Sequence, residues 1–286
     1  MDILYNIPLG YISGINDNLG AKGKLLECIG VVGESTVSAA VSSGTSLSSS
    51  KLILQASRGA TAGANLLTAL TTNGTEIASK LGESLVAGLT SGMSEEDLRS
   101  VGLGIASTLQ SSSTGGQAHS LVAAAAKGSA VSLLAKTGPA QSRIEPLVFG
   151  FVKGAAGTKP NSTVLASTMF KTATAVVSSV AFAVTSPTAN GTLSTSGAIL
   201  RVASGALRGL ASLSEAEFNS TTFETGVADV SAEVVKVTLN VSTHSPSTLN
   251  EVFESLGASI NGALLSSNRT SSNIMKTACL ATIDSL

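Results

Sequence analysis

One unit of this chain is written twice, and that constrains the fold more than any single residue does. Leu47-Ser48-Ser49-Ser50-Lys51-Leu52-Ile53-Leu54 returns 146 positions later as Leu193-Ser194-Thr195-Ser196-Gly197-Ala198-Ile199-Leu200. The same offset pairs Gly59-Ala60 with Gly205-Ala206, Leu67 with Leu213, and Asn73-Gly74-Thr75 with Asn219-Ser220-Thr221. When the offset slips to 155, Gly102, Ile105, Leu109, Ser111 and Ser112 meet Gly257, Ile260, Leu264, Ser266 and Ser267, so the second copy carries insertions. Within 286 residues each copy is long enough to own a core, and a repeated unit is what modular scaffolds are made of. The chain divides into a lead-in over 1–30, a first copy over 31–137, a junction over 138–170 and a second copy over 171–286.

The periodicity of both copies is helical. Ile77, Leu81, Leu85 and Leu89 fall at steps of four, and Leu98, Val101, Ile105 and Leu109 continue the habit; Leu249, Val252, Phe253, Leu256, Ile260 and Leu264 form the clearest stripe. Ser94 with Asp97, Ser214 with Glu217, and Thr248 with Glu251 each set a hydroxyl three residues before a carboxylate, the spacing that satisfies orphan donors at a helix start. The β-branched run from Thr172 to Val180 leaves helix and strand both open. The expected fold is all-α: two tandem, duplicated bundles of short amphipathic helices.

Composition decides what such bundles are made of. Aromatic residues are 3% of the chain, Trp is absent and charged residues are 12%, about half the share of an ordinary domain. Helices must then approach through Ala, Gly, Ser and Thr, with Leu, Val and Ile as the apolar stripes. A net charge of -1 without a basic stripe excludes nucleic acid as a partner, and near-zero charge with a mean hydropathy of +0.37 favours self-association.

The chain offers no constellation for chemistry. His119 and His244 lie among hydroxyls without a nucleophile elbow, Gly154 to Lys159 has the wrong spacing for a phosphate loop, and Asn16-Asp17-Asn18 lacks the distal Glu of a calcium loop. No catalytic, cofactor-binding or metal-ligating residue is expected, and the chain is read as not an enzyme. Met1 to Asn6 is not the start of a signal peptide, and the second copy runs to the last residue, as in a segment of a longer protein. The longest uncharged stretch follows Lys171; Ser, Thr and Pro187 interrupt it, so no membrane span is expected.

Three sets of residues carry what function is legible. Asn73, Asn161, Asn190, Asn219, Asn240 and Asn268 each sit in Asn-x-Ser/Thr, and the match of Asn73 with Asn219 under the repeat favours glycosylation outside the cell. Cys28 and Cys279 are buried or incidental thiols, or else form one bridge within or between chains. Leu147, Val148, Phe149, Phe151 and Val152 make an apolar patch at the junction that is expected to be exposed and self-associating.

The runs Ala175-Val176-Val177-Ser178-Ser179-Val180, Gly104 to Ser113 and Ser255 to Ser267 resemble the helical, non-polyalanine repeat units of spider silk proteins. The Ser/Thr-rich helices with sequons are also similar to the helical extracellular regions of polycystin-type or algal surface glycoproteins. The first resemblance implies a non-catalytic structural module of an extracellular fibre, coat or surface filament. Its partners would be further copies of itself and other matrix or surface proteins. The second implies an ectodomain segment of adhesion or receptor type.

Overall fold

A computed structural model describes residues 2–15, 22–43, 48–68, 73–90, 93–112, 117–136, 143–156, 163–185, 194–213, 220–241, 246–267 and 272–285. They form twelve α-helices: α1 Asp2–Ile15, α2 Lys22–Ser42, α3 Ser49–Thr68, α4 Gly74–Ala87, α5 Glu95–Ser112, α6 Ala118–Ala135, α7 Ile144–Ala156, α8 Thr163–Val184, α9 Thr195–Ala211, α10 Ser220–Val241, α11 Pro246–Ser267 and α12 Ser272–Ile283. The all-α expectation holds. α3 and α9 begin 146 residues apart, as do α4 and α10, so the repeat offset is also an offset between helix starts. Each copy also ties its first helix to its third. Ser49 Oγ on α3 donates to Asp97 on α5 at 3.0 Å, and Ser196 Oγ on α9 donates to Glu251 on α11 at 3.2 Å.

Every helix packs most heavily on a helix two positions away in the chain, so the odd-numbered helices form one layer and the even-numbered ones a second. Neighbours in sequence cross between layers, with lighter contacts. This is the two-layer stacking of helical solenoids, in which each unit buries its apolar face on the next. One apolar cluster runs through it from Ile12 to Ala278. Ile77, Leu81 and Leu85 on α4, Leu89 just past it, Leu98, Val101, Ile105 and Leu109 on α5 and Val252, Leu256, Ile260 and Leu264 on α11 lie in that cluster, with Phe253 packed against it.

Close approach of backbones makes the stack possible. A Cβ on Gly82 of α4 would collide with the carbonyl of Ala125 on α6, and one on Gly128 of α6 with the carbonyl of Ser79 on α4, a reciprocal pair only glycine permits. Hydroxyls are absorbed within the helices: Thr61, Ser231 and Thr238 donate to the carbonyls four residues back at 2.6, 2.7 and 2.7 Å. Lys136, just past α6, reaches across to the end of α4 and donates to the carbonyls of Ala87 and Leu89 at 3.0 and 2.8 Å. Burial lowers the pKa of this amine, with the Glu34 carboxylate acting in the opposite direction.

The helix-start signals fare unevenly. Ser94 and Asp97 make the reciprocal box at α5, the Asp97 amide donating to Ser94 Oγ at 3.1 Å and the Ser94 amide to the Asp97 carboxylate at 2.9 Å. Ser214 and Glu217 lie outside the described residues. Thr248 falls inside α11, because Pro246, whose ring presets a helical φ and which lacks the N–H a first-turn residue leaves unpaired, starts that helix two residues earlier. The β-branched run from Thr172 to Val180 is helical, since α8 buries Val176, Val177 and Val180 and tertiary burial outweighs propensity.

Two expectations are corrected here. The patch Leu147, Val148, Phe149, Phe151 and Val152 is not an exposed adhesive: α7 lies between α5 and α9, and Leu147, Val148, Phe151 and Val152 are fully buried. Phe149 is half-buried, with the Arg99 guanidinium 5.0 Å and the Lys153 amine 5.6 Å from its ring centre. The absence of a membrane span is overturned as well. Lys24–Ser42 of α2, Ala118–Ala135 of α6 and Ala166–Val184 of α8 are each long and apolar enough to cross a bilayer. Ser and Thr do not interrupt such a run, because Thr172 and Thr174 bond their own helix at Thr168 and Phe170. Of the alternatives open for the cysteines, the structure has free thiols rather than a bridge within the chain, Cys28 on the first and Cys279 on the last helix of the even layer.

The helix α7 is clamped to α9 by charge. Glu145 accepts from Arg208 at 2.5 Å and Arg201 at 3.2 Å. Burial pushes its carboxyl up, but hydrogen bonds from Arg208, Arg201 and Ser204 and the Arg208 charge outweigh it and hold the pKa below its ordinary value. The clamp therefore stabilises the fold above the unfolded carboxylate pKa of about 4.3 and is lost as pH falls through the lower folded value. Glu145→Gln should cost about 1 kcal/mol at neutral pH, and its deficit in thermal unfolding against the wild type should close as the pH drops below about 4. A second expectation concerns the glycines. Gly82→Ala and Gly128→Ala should each destabilise by about 1–3 kcal/mol despite better helix propensity, because the new methyl meets backbone. Gly10→Ala on α1, where nothing lies within 4 Å, should raise the melting temperature in the same assay.

Candidate functional site

A layered stack has two ends, and here they are where apolar surface remains uncovered. Ten large hydrophobic side chains are exposed among the described residues; seven lie on the helix pairs that end the stack, Ile3, Ile7, Tyr11 and Val31 on α1 and α2, and Leu265, Leu280 and Ile283 on α11 and α12. The remaining three, Leu66, Val131 and Phe182, are scattered singly over three interior helices.

At the first end the exposed side chains form a groove. Ile3, Ile7 and Tyr11 recur every fourth residue along α1, and Tyr11 is 67% exposed. Ile7 and Tyr11, with Leu4 and Pro8, face Val31, Val32 and Ala39 of α2 across a trough of about 330 Å³ whose walls are almost wholly apolar. The α2 wall is the least committed of the three span-length helices: 22% of its apolar window is buried, against 67% in α6 and 56% in α8. A trough without positioned charge can hold another apolar surface and offers nothing for bond-making chemistry.

The residues read from sequence fall around this site rather than in it. Cys28 lies on the same stripe of α2 as Val32, Ser35 and Ala39, half-buried, and Cys279 is exposed on α12. Asn73 is half-buried at the N-cap of α4, Asn240 is exposed near the end of α10, and Asn161, Asn190, Asn219 and Asn268 lie outside the described residues. His119 is half-buried on α6, and His244 is outside the described residues. Among the described residues no three His, Cys, Asp or Glu side chains gather where a metal could sit. A second depression of about 350 Å³ between α3, α5 and α7 holds Lys51, Arg99 and Lys153; Arg99 is engaged there by Glu95 at 3.1 Å and Glu96 at 3.5 Å.

The groove was missed in the sequence because residues 1–30 read as a turn-rich lead-in. The signal was nonetheless there, in the four-residue spacing of Ile3, Ile7 and Tyr11. No protein-family model matches the chain, and no curated protein matches it significantly.

Proposed function

We propose that the chain is a non-catalytic structural module of an extracellular self-assembling protein, a fibre, coat or surface filament. The observation that carries this reading is that seven of the ten exposed large apolar side chains among the described residues lie at the two ends of a helix stack whose interior helices each pack on the helices two positions away. A module of this kind works by being stiff and by having ends that adhere. The texture shared with helical silk repeats and the exposed sequon at Asn240 support the same reading.

A second reading has an observation of its own. The three helices long and apolar enough to cross a bilayer all belong to the even layer, and each exposes one large apolar side chain, Val31, Val131 or Phe182. On that reading the chain is a helical segment of a surface glycoprotein of adhesion or receptor type, held against lipid by that layer.

Light scattering over a concentration series separates the two. Apolar association is strengthened by excluded salts and weak surface ion pairs are only screened, so phosphate or sulfate should raise the mass of the wild type while sodium chloride changes it little. A protein that stays monomeric at high concentration in phosphate, and floats with neutral phosphatidylcholine vesicles, would replace the assembly reading with the second.

A further inference from the structure

The interior of the stack follows a rule that the two ends leave unfinished. In the odd layer α3, α7 and α9 each carry glycines four residues apart, and each pair is turned toward the preceding odd helix. Gly59 and Gly63 lie against the carbonyls of Tyr5 and Leu9 on α1; Gly150 and Gly154 against those of Arg99 and Leu103 on α5; Gly205 and Gly209 against those of Glu145 and Phe149 on α7. The receiving carbonyls are themselves four apart every time, so one helix-on-helix contact is used three times over. The helix α1 carries the same pair, Gly10 and Gly14, on the side away from α3 and in line with Ile3 and Ile7, and nothing lies within 4 Å of either. The described glycines with no neighbour in that range are these two and Gly257 and Gly262 of α11, the first and last helices of the odd layer.

We infer that α11 and α12 of one copy stack on α1 and α2 of a second copy, continuing both layers across the junction between molecules. The number of helices makes this consistent: after α11 the next odd-layer position is taken by α1 of the second copy, and after α12 the next even-layer position by its α2. The contact joins two different surfaces, so it propagates into open filaments or rings rather than stopping at a dimer. It rests on the self-assembling reading above and names the partner of the groove in it.

The even layer supplies a register. Facing residues there stand within five places of equal rank from their helix starts: Gly33, twelfth in α2, against Ser84, eleventh in α4; Gly82, ninth in α4, against Ala125, eighth in α6; Gly128, eleventh in α6, against Ser79, sixth in α4; Gly226, seventh in α10, against Phe170, eighth in α8. Thr277, sixth in α12, donates to Glu224, fifth in α10. Cys279, eighth in α12, and Cys28, seventh in α2 of the next copy, fall inside that range. Cys28 stands on the side of α2 away from Gly30 and Gly33, the residues that meet α4.

Because the chain has two cysteines, the register can be read directly. Cys28→Ser and Cys279→Ser leave one thiol each, and the two variants are treated with diamide alone and mixed, in phosphate, with masses followed by light scattering. Diamide takes two protons and two electrons from a facing pair of thiols as the S–S bond forms and is itself reduced to the hydrazine. The expected result is a bridged heterodimer from the mixture, with the Cys28 and Cys279 peptides linked in its digest, and no bridged homodimer from either variant alone. Gly10→Leu, whose side chain points into open space in the single chain, should keep the monomer folded by circular dichroism and weaken association at least tenfold. Assembly that proceeds with no Cys28–Cys279 bridge, or with homodimer bridges, overturns the head-to-tail contact and leaves the assembly reading standing. The absence of any assembly removes that reading itself.

Discussion

The close approach of helix backbones two elements apart in the chain is what everything else in this protein depends on. With aromatic residues at 3% and no Trp, large anchors cannot hold the layers together. The alternative is many short contacts at high packing density, each worth little and the sum worth a fold. Glycine sets the distance: Gly82 under Ala125 and Gly128 under Ser79 bring α4 and α6 together, and Gly102 and Gly150 do the same for α5 and α7. Once backbones are this near, Ala, Val and Leu suffice to fill the space between layers.

That choice governs how polar groups are handled. A core lined with Ser and Thr would be costly if the hydroxyls had to find partners across helices. Instead most bond the carbonyl one turn back in their own helix, as Thr61, Ser231 and Thr238 do, so they behave as small apolar fillers toward the neighbouring helix. The same economy makes a hydroxyl-rich segment such as Ala166–Val184 apolar enough to be of membrane length and composition. Charge is kept for a few fixed points. Asp97 ties the start of α5 to α3, Glu145 ties α7 to α9, and the Lys136 amine ties the end of α6 to the end of α4.

A stack built from one repeated contact has no intrinsic stopping point, which connects packing to function. Interior helices are covered on both sides by their odd or even neighbours, whereas α1, α2, α11 and α12 have one neighbour fewer in their layer. Natural solenoids close such ends with a polar outer face. Here the ends carry Ile3, Ile7, Tyr11 and Val31 at one side and Leu265, Leu280 and Ile283 at the other. The groove between α1 and α2 follows from that missing neighbour, and needs no special loop or cofactor to explain it.

By itself the sequence determined what depends on local chemistry. The stripes Ile77 to Leu89 and Leu98 to Leu109 are core because a four-residue apolar spacing has one buried face whatever it packs on. Ser94 and Asp97 start a helix because their bonds close within four residues. The offset of 146 reappears as an offset of helix starts because each copy repeats the same local signals. Only the tertiary structure decided what depends on who stands next to whom. It buried Leu147, Val148, Phe151 and Val152, made Thr172 to Val180 a helix, placed Cys28 and Cys279 at opposite ends, and left Gly10 and Gly14 uncovered. An apolar or small residue states that it wants a neighbour, but the neighbour lies two helices away, and no local pattern encodes which helix that is or whether the chain provides it.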